Sequence, residues 1–258
     1  MGPSASPPTP ASRKGPLTWR SARIAGIRLE TAHAKTLVLD VDGWPGHRAG
    51  QHVDIRVTAE DGYQAQRSYS IASAPESPRL ELTVERVEDG EVSTYLVDEA
   101  RAGDELELRG PIGGYFVWHA GLDGSLVLVA GGSGLVPLVA MLRHRRAARD
   151  MTDARLLLSA RTVDDVLYPD ELAALGAGDV AVRLTLTRAA ARPPQFPEAW
   201  TRRVDRAMLE ELGPAPGTGA RIYVCGPTPF VEEAARLLVE LGHDARSVRT
   251  ERFGPTGG

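Results

Sequence analysis

Arg67-Ser68-Tyr69-Ser70 ends an alternating run of the chain, and Val92-Ser93-Thr94-Tyr95 and Gly110-Pro111-Ile112-Gly113 follow it. Side chains alternate along an extended segment, so Arg67 and Tyr69 share one face of a strand and Ser70 marks its edge. A guanidinium offers phosphate oxygens a planar fork of donors, a phenol offers a flat surface to another ring, and a hydroxyl adds a donor. Such a face suits a flat, anionic ligand. The tetrapeptide alone equally describes an edge strand with a surface arginine, so its surroundings decide.

Outward from it, Trp19 to Phe116 is a series of short alternating segments divided by turn residues. Strands are predicted over Arg23–Leu29, Lys35–Val41, His52–Val57, Gln66–Ala72, Leu80–Val87 and Asp104–Leu108, with one short helix around Ser93–Glu99. Six such strands predict an antiparallel β-barrel or sandwich. Glu91 to Leu96 holds two hydroxyl residues where that helix opens. A helix start leaves backbone N–H groups unpaired and suits a phosphate, although Ser93 equally suits a plain N-cap. His52 opens the third strand and carries no assigned role.

After a linker, His119 to Gly124, the pattern changes to continuous apolar runs alternating with helical stretches, as buried parallel strands with crossover helices require. Strands are predicted over Ser125–Ala130, Arg155–Ala160, Val180–Thr187, Arg221–Cys225 and Ser247–Arg249. Helices are predicted over Val136–Arg149, Asp170–Leu175, Arg206–Leu212 and Pro229–Leu241. The fold class is therefore two-domain: an antiparallel β-barrel over residues 17–118, then an α/β Rossmann-like parallel-sheet domain over 119–258, with residues 1–16 as a Pro/Ser/Ala-rich mobile tail.

The first parallel strand runs into Gly131-Gly132-Ser133-Gly134-Leu135-Val136-Pro137 and a helix, an order that brings backbone N–H groups to a pyrophosphate. Pro137 stands where G-x-G-x-x-G has its third glycine, and proline is tolerated in a first helical turn. Ser159-Ala160-Arg161 and Thr187-Arg188 set two arginines at carboxyl ends of parallel strands, where ligands bind in open α/β sheets. Arg202-Arg203-Val204-Asp205 adds a third candidate. No acidic residue closes Leu156–Ala160 to hold a free ribose 2′-hydroxyl.

Composition narrows the classes. Of 258 residues, 42% are hydrophobic and 25% charged, enough for two cores. No apolar run approaches the ~20 residues of a membrane span. A net charge of −4 without a basic stripe argues against nucleic acid as partner. Cys225 is the only cysteine of the sequence, which excludes an internal disulfide or a four-cysteine metal or iron–sulfur centre and suggests a cytoplasmic setting. Gly132-Ser133-Gly134 is not a G-x-S-x-G elbow, no H-E-x-x-H occurs, and no metal site is expected.

In this order the motifs resemble the ferredoxin–NADP reductase superfamily, from Trp19 to Pro255. The resemblance implies FAD and a nicotinamide dinucleotide, with hydride moving from nicotinamide C4 to flavin N5. It implies that Arg67 meets the FAD pyrophosphate, Tyr69 packs on the isoalloxazine and Ser70 lies near N5. Val92, Ser93 and Thr94 match the segment contacting the FAD pyrophosphate, and Gly110–Gly113 resembles the loop closing the barrel. Gly131, Gly132, Ser133 and Gly134 match the dinucleotide loop. Tyr223-Val224-Cys225-Gly226-Pro227 resembles a motif whose cysteine lies over the nicotinamide and whose glycine admits the ring. Arg161 and Arg188, with Ser159, match positions that grip the 2′-phosphate in NADP-using members, so NADPH is expected and NADH remains possible. Phe253 corresponds to an aromatic lid and Glu251 to an acidic residue near N5, while Phe253 equally suits core packing. Ser70, Cys225 and Glu251 are thus the catalytic candidates.

With no iron–sulfur cysteines, electrons are expected to pass to a separate ferredoxin, flavodoxin or redox enzyme, from a protein expected to be monomeric. A free-flavin or ferric reductase, and a flavoprotein that binds both nucleotides without transfer, are the alternatives.

Overall fold

The computed structural model describes residues 17–59, 61–194 and 196–254. The segment expected to be a tail and Pro255 lie outside them.

Six antiparallel strands form the first sheet: β1 (Trp19–Thr31), β2 (Ala34–Val41), β3 (His52–Thr58), β4 (Gln64–Ser70), β5 (Leu80–Glu85) and β6 (Glu105–Ile112), in the order β4-β3-β6-β1-β2-β5. Alternation turns Ile24, Leu37, Leu39, Val53, Ile55, Leu82 and Leu108 inward, all 1% exposed or less. An antiparallel bridge between Ile71 and Leu82 joins the two outer strands, so the sheet curls into a barrel.

The strand β1 is six residues longer than its apolar pattern predicts. Its first residues are polar but pair with β6, Trp19 opposite Arg109, and the Trp19 ring lies under the guanidiniums of Arg56 (4.2 Å) and Arg109 (4.9 Å). Between β5 and β6 a short helix, α1 (Glu91–Thr94), continues into one π-helical turn at Tyr95–Glu99.

The second sheet is wholly parallel: β7 (Leu126–Gly131), β8 (Ala154–Ala160), β9 (Val180–Leu186), β10 (Arg221–Pro227) and β11 (Val248–Phe253), in the order β11-β10-β7-β8-β9. Helices α2 (Leu135–Ala147), α3 (Pro169–Gly176), α4 (Arg206–Leu212) and α5 (Thr228–Glu240) connect them. Leu126, Leu128 and Ala130 pack into the layer holding α2 and α3, whereas Val127 and Val129 pack into that of α4 and α5. Burial on both faces explains why β7 reads as an unbroken apolar run.

Chain connection reverses direction across the sheet at β7, and a crevice opens there beyond the carboxyl ends of the strands. The strand β11 is longer than Ser247–Arg249 because edge pairing with β10 carries its charged residues into the sheet, setting Glu251 opposite Cys225 and Phe253 opposite Pro227.

Candidate active site

The barrel half of the site is held from behind. Asp54 on β3 accepts from the Ser68 hydroxyl (2.6 Å) and from Arg109 (2.6 Å), fixing the outer face of β4. Burial alone would raise the Asp54 pKa, but these hydrogen bonds outweigh it and hold the carboxyl below its ordinary value. Arg67 and Tyr69 then occupy the other face. Arg67 is exposed, with one guanidinium nitrogen donating to the Gln66 carbonyl (2.7 Å). Tyr69 is half-buried against the barrel core, and Ser70 is buried directly across from His52.

Ser93 corrects one expectation. Gly90, not a hydroxyl residue, is the N-cap of α1, while the Ser93 hydroxyl accepts from the Val87 amide (3.1 Å) and donates to the Gly90 carbonyl (3.3 Å). That hydroxyl is spent on the turn. What α1 offers a phosphate is backbone N–H at Val92 and Ser93 and the half-buried Thr94 side chain.

In the second domain Gly131 closes β7 and Gly132–Gly134 makes one tight turn into α2. The loop lies flat on β10 because glycine permits it: a Cβ on Gly134 would stand 2.2 Å from the Cys225 carbonyl oxygen. Gly132 has φ +55° and open space where its Cβ would be. This cradle walls a cavity also lined by Ser159, Arg161, Thr187, Pro227 and Phe253. Arg202 is paired at the surface with Asp205 (2.6 Å), whereas Arg161, Arg188 and Arg203 enter no ion pair among the described residues.

Three lining residues had not been anticipated. Phe230, in the first turn of α5, stands where a Cβ on Gly131 would be 2.7 Å from its ring. Asp165 accepts from the Thr162 amide (3.0 Å) and hydroxyl (2.7 Å), a capping box legible as Thr162-Val163-Asp164-Asp165. Glu85 arrives from the barrel, and no local pattern could have announced it.

The catalytic candidates meet across the domain boundary. Ser70 lies opposite His52, the His52 Nδ1 lies 3.8 Å from Glu251 Oε1, and Glu251 lies opposite Cys225. His52, which carried no assigned role, joins this group. At 3.8 Å the imidazole and carboxyl are too far apart for a hydrogen bond. Burial therefore dominates both: it lowers the His52 pKa and pushes Glu251 up to about 7, with Glu251 Oε2 buried and unpartnered. Cys225 is fully covered beneath α2, and burial, then Glu251, raises its thiol pKa well above normal. It is a neutral thiol, not a nucleophile.

A raised carboxyl pKa stabilises the fold while the group stays protonated. That contribution is complete below about pH 4.5 and disappears as pH climbs through about 7. Between pH 4.5 and 8, flavin-free wild type should lose on the order of 3 kcal/mol more stability than Glu251→Gln. Urea unfolding at both pH values checks this, and equal losses would remove the buried-acid account.

An antiparallel barrel joined to a parallel sheet with a glycine turn at its switch point is the two-domain architecture of oxidoreductases of flavin and nicotinamide dinucleotides. Comparison with known proteins agrees. Residues 28–117 match the oxidoreductase FAD-binding domain family and residues 128–236 the oxidoreductase NAD-binding domain family. The chain is 35% identical over 216 residues (80% of the chain) to ferredoxin–NADP reductase B of Sorangium cellulosum, covering 84% of that protein. It is 32% identical to the glycine betaine monooxygenase reductase subunit of Chromohalobacter salexigens, with 81% of the chain aligned, and spans 56% of that protein's length. The structure of a cytochrome P450 reductase from Amycolatopsis superposes with a TM-score of 0.79 at 26% identity, covering 94% of this chain and 72% of that one. The chain belongs to the ferredoxin–NADP reductase superfamily of FAD-dependent oxidoreductases.

Proposed function

We propose that the protein moves a hydride from NADPH, with NADH as a slower donor, to FAD and passes electrons singly to a separate acceptor protein: a ferredoxin, a flavodoxin or an oxygenase component. The observation that carries this reading is the meeting of the two domains at one cleft, where Ser70, His52, Glu251 and Cys225 stand in sequence across the domain boundary. Relatives that are reductase subunits of oxygenases support the separate acceptor.

The residues fit both nucleotides: a glycine cradle that a Cβ would fill, exposed arginines on each domain, and a buried carboxyl without a partner. When bound, FAD supplies the chemistry that accepts two electrons together and releases them one at a time. Arg67 would hold its pyrophosphate beside the N–H groups of Val92 and Ser93 and the Thr94 hydroxyl, Tyr69 would pack on the ring, and Ser70 would donate near N5. Gly131, Gly132, Ser133 and Gly134 seat the dinucleotide pyrophosphate. Ser159, Arg161 and Arg188 hold the 2′-phosphate. Gly226 and Pro227 would leave room for a nicotinamide over Cys225, Glu251 would hold a proton at its carboxyl beside it, and Phe253, which lines the pocket, would cover the flavin ring. Most binding energy thus comes from phosphates that do not react, and the protein's task is alignment.

Arg67→Ala should weaken FAD binding by about tenfold or more, the scale of a charge-assisted contact. Flavin occupancy after gel filtration measures it. Unchanged occupancy would cancel the phosphate role, and wild type that sheds all flavin would favour a free-flavin reductase.

A further inference from the structure

Arg143 lies on α2, the helix that begins at the glycine cradle, and is half-buried at the boundary between the domains. Its guanidinium donates to two barrel groups, the Ala72 carbonyl (2.9 Å) and Glu81 (3.2 Å), and to Glu171 of α3 (2.6 Å). The same guanidinium lies 4.9 Å from the centre of the Tyr168 ring. The Tyr168 hydroxyl crosses the boundary and donates to Thr83. Thr83 lies 2.7 Å from Thr36, which donates to Glu30 (2.6 Å), so a chain of hydroxyls ends on a barrel carboxylate. On the barrel side Glu81 also receives both arms of Arg28 (3.0 and 3.1 Å).

Two features mark this cluster as more than adhesion. Tyr168 has φ +54°, a left-handed conformation that a bulky residue rarely adopts and that persists only where its surroundings dictate it. Ala72 lies two residues beyond Ser70, and Arg143 lies nine beyond Gly134, so the contact ties the strand of the flavin site to the helix of the dinucleotide site. Buried ionic networks add little net stability over apolar packing of equal volume, yet they can specify one arrangement.

We propose that Arg143 and Tyr168 form a clasp that sets the relation of the two domains and so the separation of the two bound rings. They are positioning residues, acting through the domains they join. The proposal rests on hydride transfer across the cleft, and ring misplacement of about 1 Å costs about 100-fold in rate.

The test uses Arg143→Met and, should that variant fold poorly, Tyr168→Phe, each with one spin label at an exposed site on either domain. The expected result is a broadened or lengthened interdomain distance in the FAD-loaded protein, and hydride transfer slowed about 100-fold for Arg143→Met and about tenfold for Tyr168→Phe. Donor KM should stay within about threefold, because the binding groups remain in place. Narrow wild-type distances with wild-type transfer rates in both variants would overturn the clasp, as would slowed transfer explained wholly by a raised KM. If wild-type flavin is not reduced by the donor, the hydride reading fails, and the label distances still decide whether the clasp orients the domains.

Discussion

Replacing Gly134 with alanine is expected to destabilise the dinucleotide-binding domain by about 3 kcal/mol, the upper range for overpacking. The new methyl would sit 2.2 Å from the Cys225 carbonyl oxygen, 2.4 Å from its carbon and 2.6 Å from the Gly226 nitrogen. These are backbone atoms of a central strand paired on both sides, so no side chain can swing aside. Gly132→Ala is the control: nothing lies within 4 Å of its Cβ, and only the left-handed φ of +55° opposes it, at about 1 kcal/mol. Thermal melting should rank wild type above Gly132→Ala above Gly134→Ala, with the last lowered by about 10 °C for a chain of this size. Equal melting of Gly134→Ala and wild type would mean that the loop does not rest on β10.

Removing Arg161 and Arg188 together should reverse the donor preference. A charge-assisted hydrogen bond contributes about 1.5–3 kcal/mol, so each arginine that grips a 2′-phosphate accounts for roughly 10- to 100-fold in binding. The double variant should lose about 100-fold or more in kcat/KM for NADPH and little for NADH, which lacks that phosphate. Arg161 lines the pocket with Glu85 and Asp165, two carboxylates that oppose a phosphate, while Arg188 follows the lining residue Thr187 without itself lining the pocket. The Asp165 carboxylate accepts from the Thr162 amide and hydroxyl, hydrogen bonds that hold it in the capping box. A preference ratio that does not move would mean that neither arginine meets the 2′-phosphate.

Most of the fold was legible because its signals are local. Alternation marks the barrel strands, Leu126 to Ala130 is apolar because both faces of β7 are buried, and Gly131–Gly134 sits where a strand meets a helix. The edge strand β11 was under-read, since Arg249, Glu251 and Arg252 interrupt its apolar pattern and only pairing with β10 shows them to be in the sheet. The N-cap reading of Ser93 fails because a hydroxyl near a helix start is read as a cap, and the chain instead folds it back onto Val87 with Gly90 as the N-cap. His52 beside Glu251, Glu85 in the dinucleotide pocket and Arg143 with Tyr168 at the barrel could not be foreseen. Each contact joins residues far apart in the chain, and no spacing rule reaches that distance.

Anaerobic titration of the FAD-loaded protein with NADPH, and separately with NADH, tests the central claim most directly, because the flavin's visible absorbance reports arrival of the hydride. The account predicts complete bleaching at about one equivalent of NADPH, with slower bleaching by NADH. Flavin that is bound but keeps its colour with both donors would contradict it.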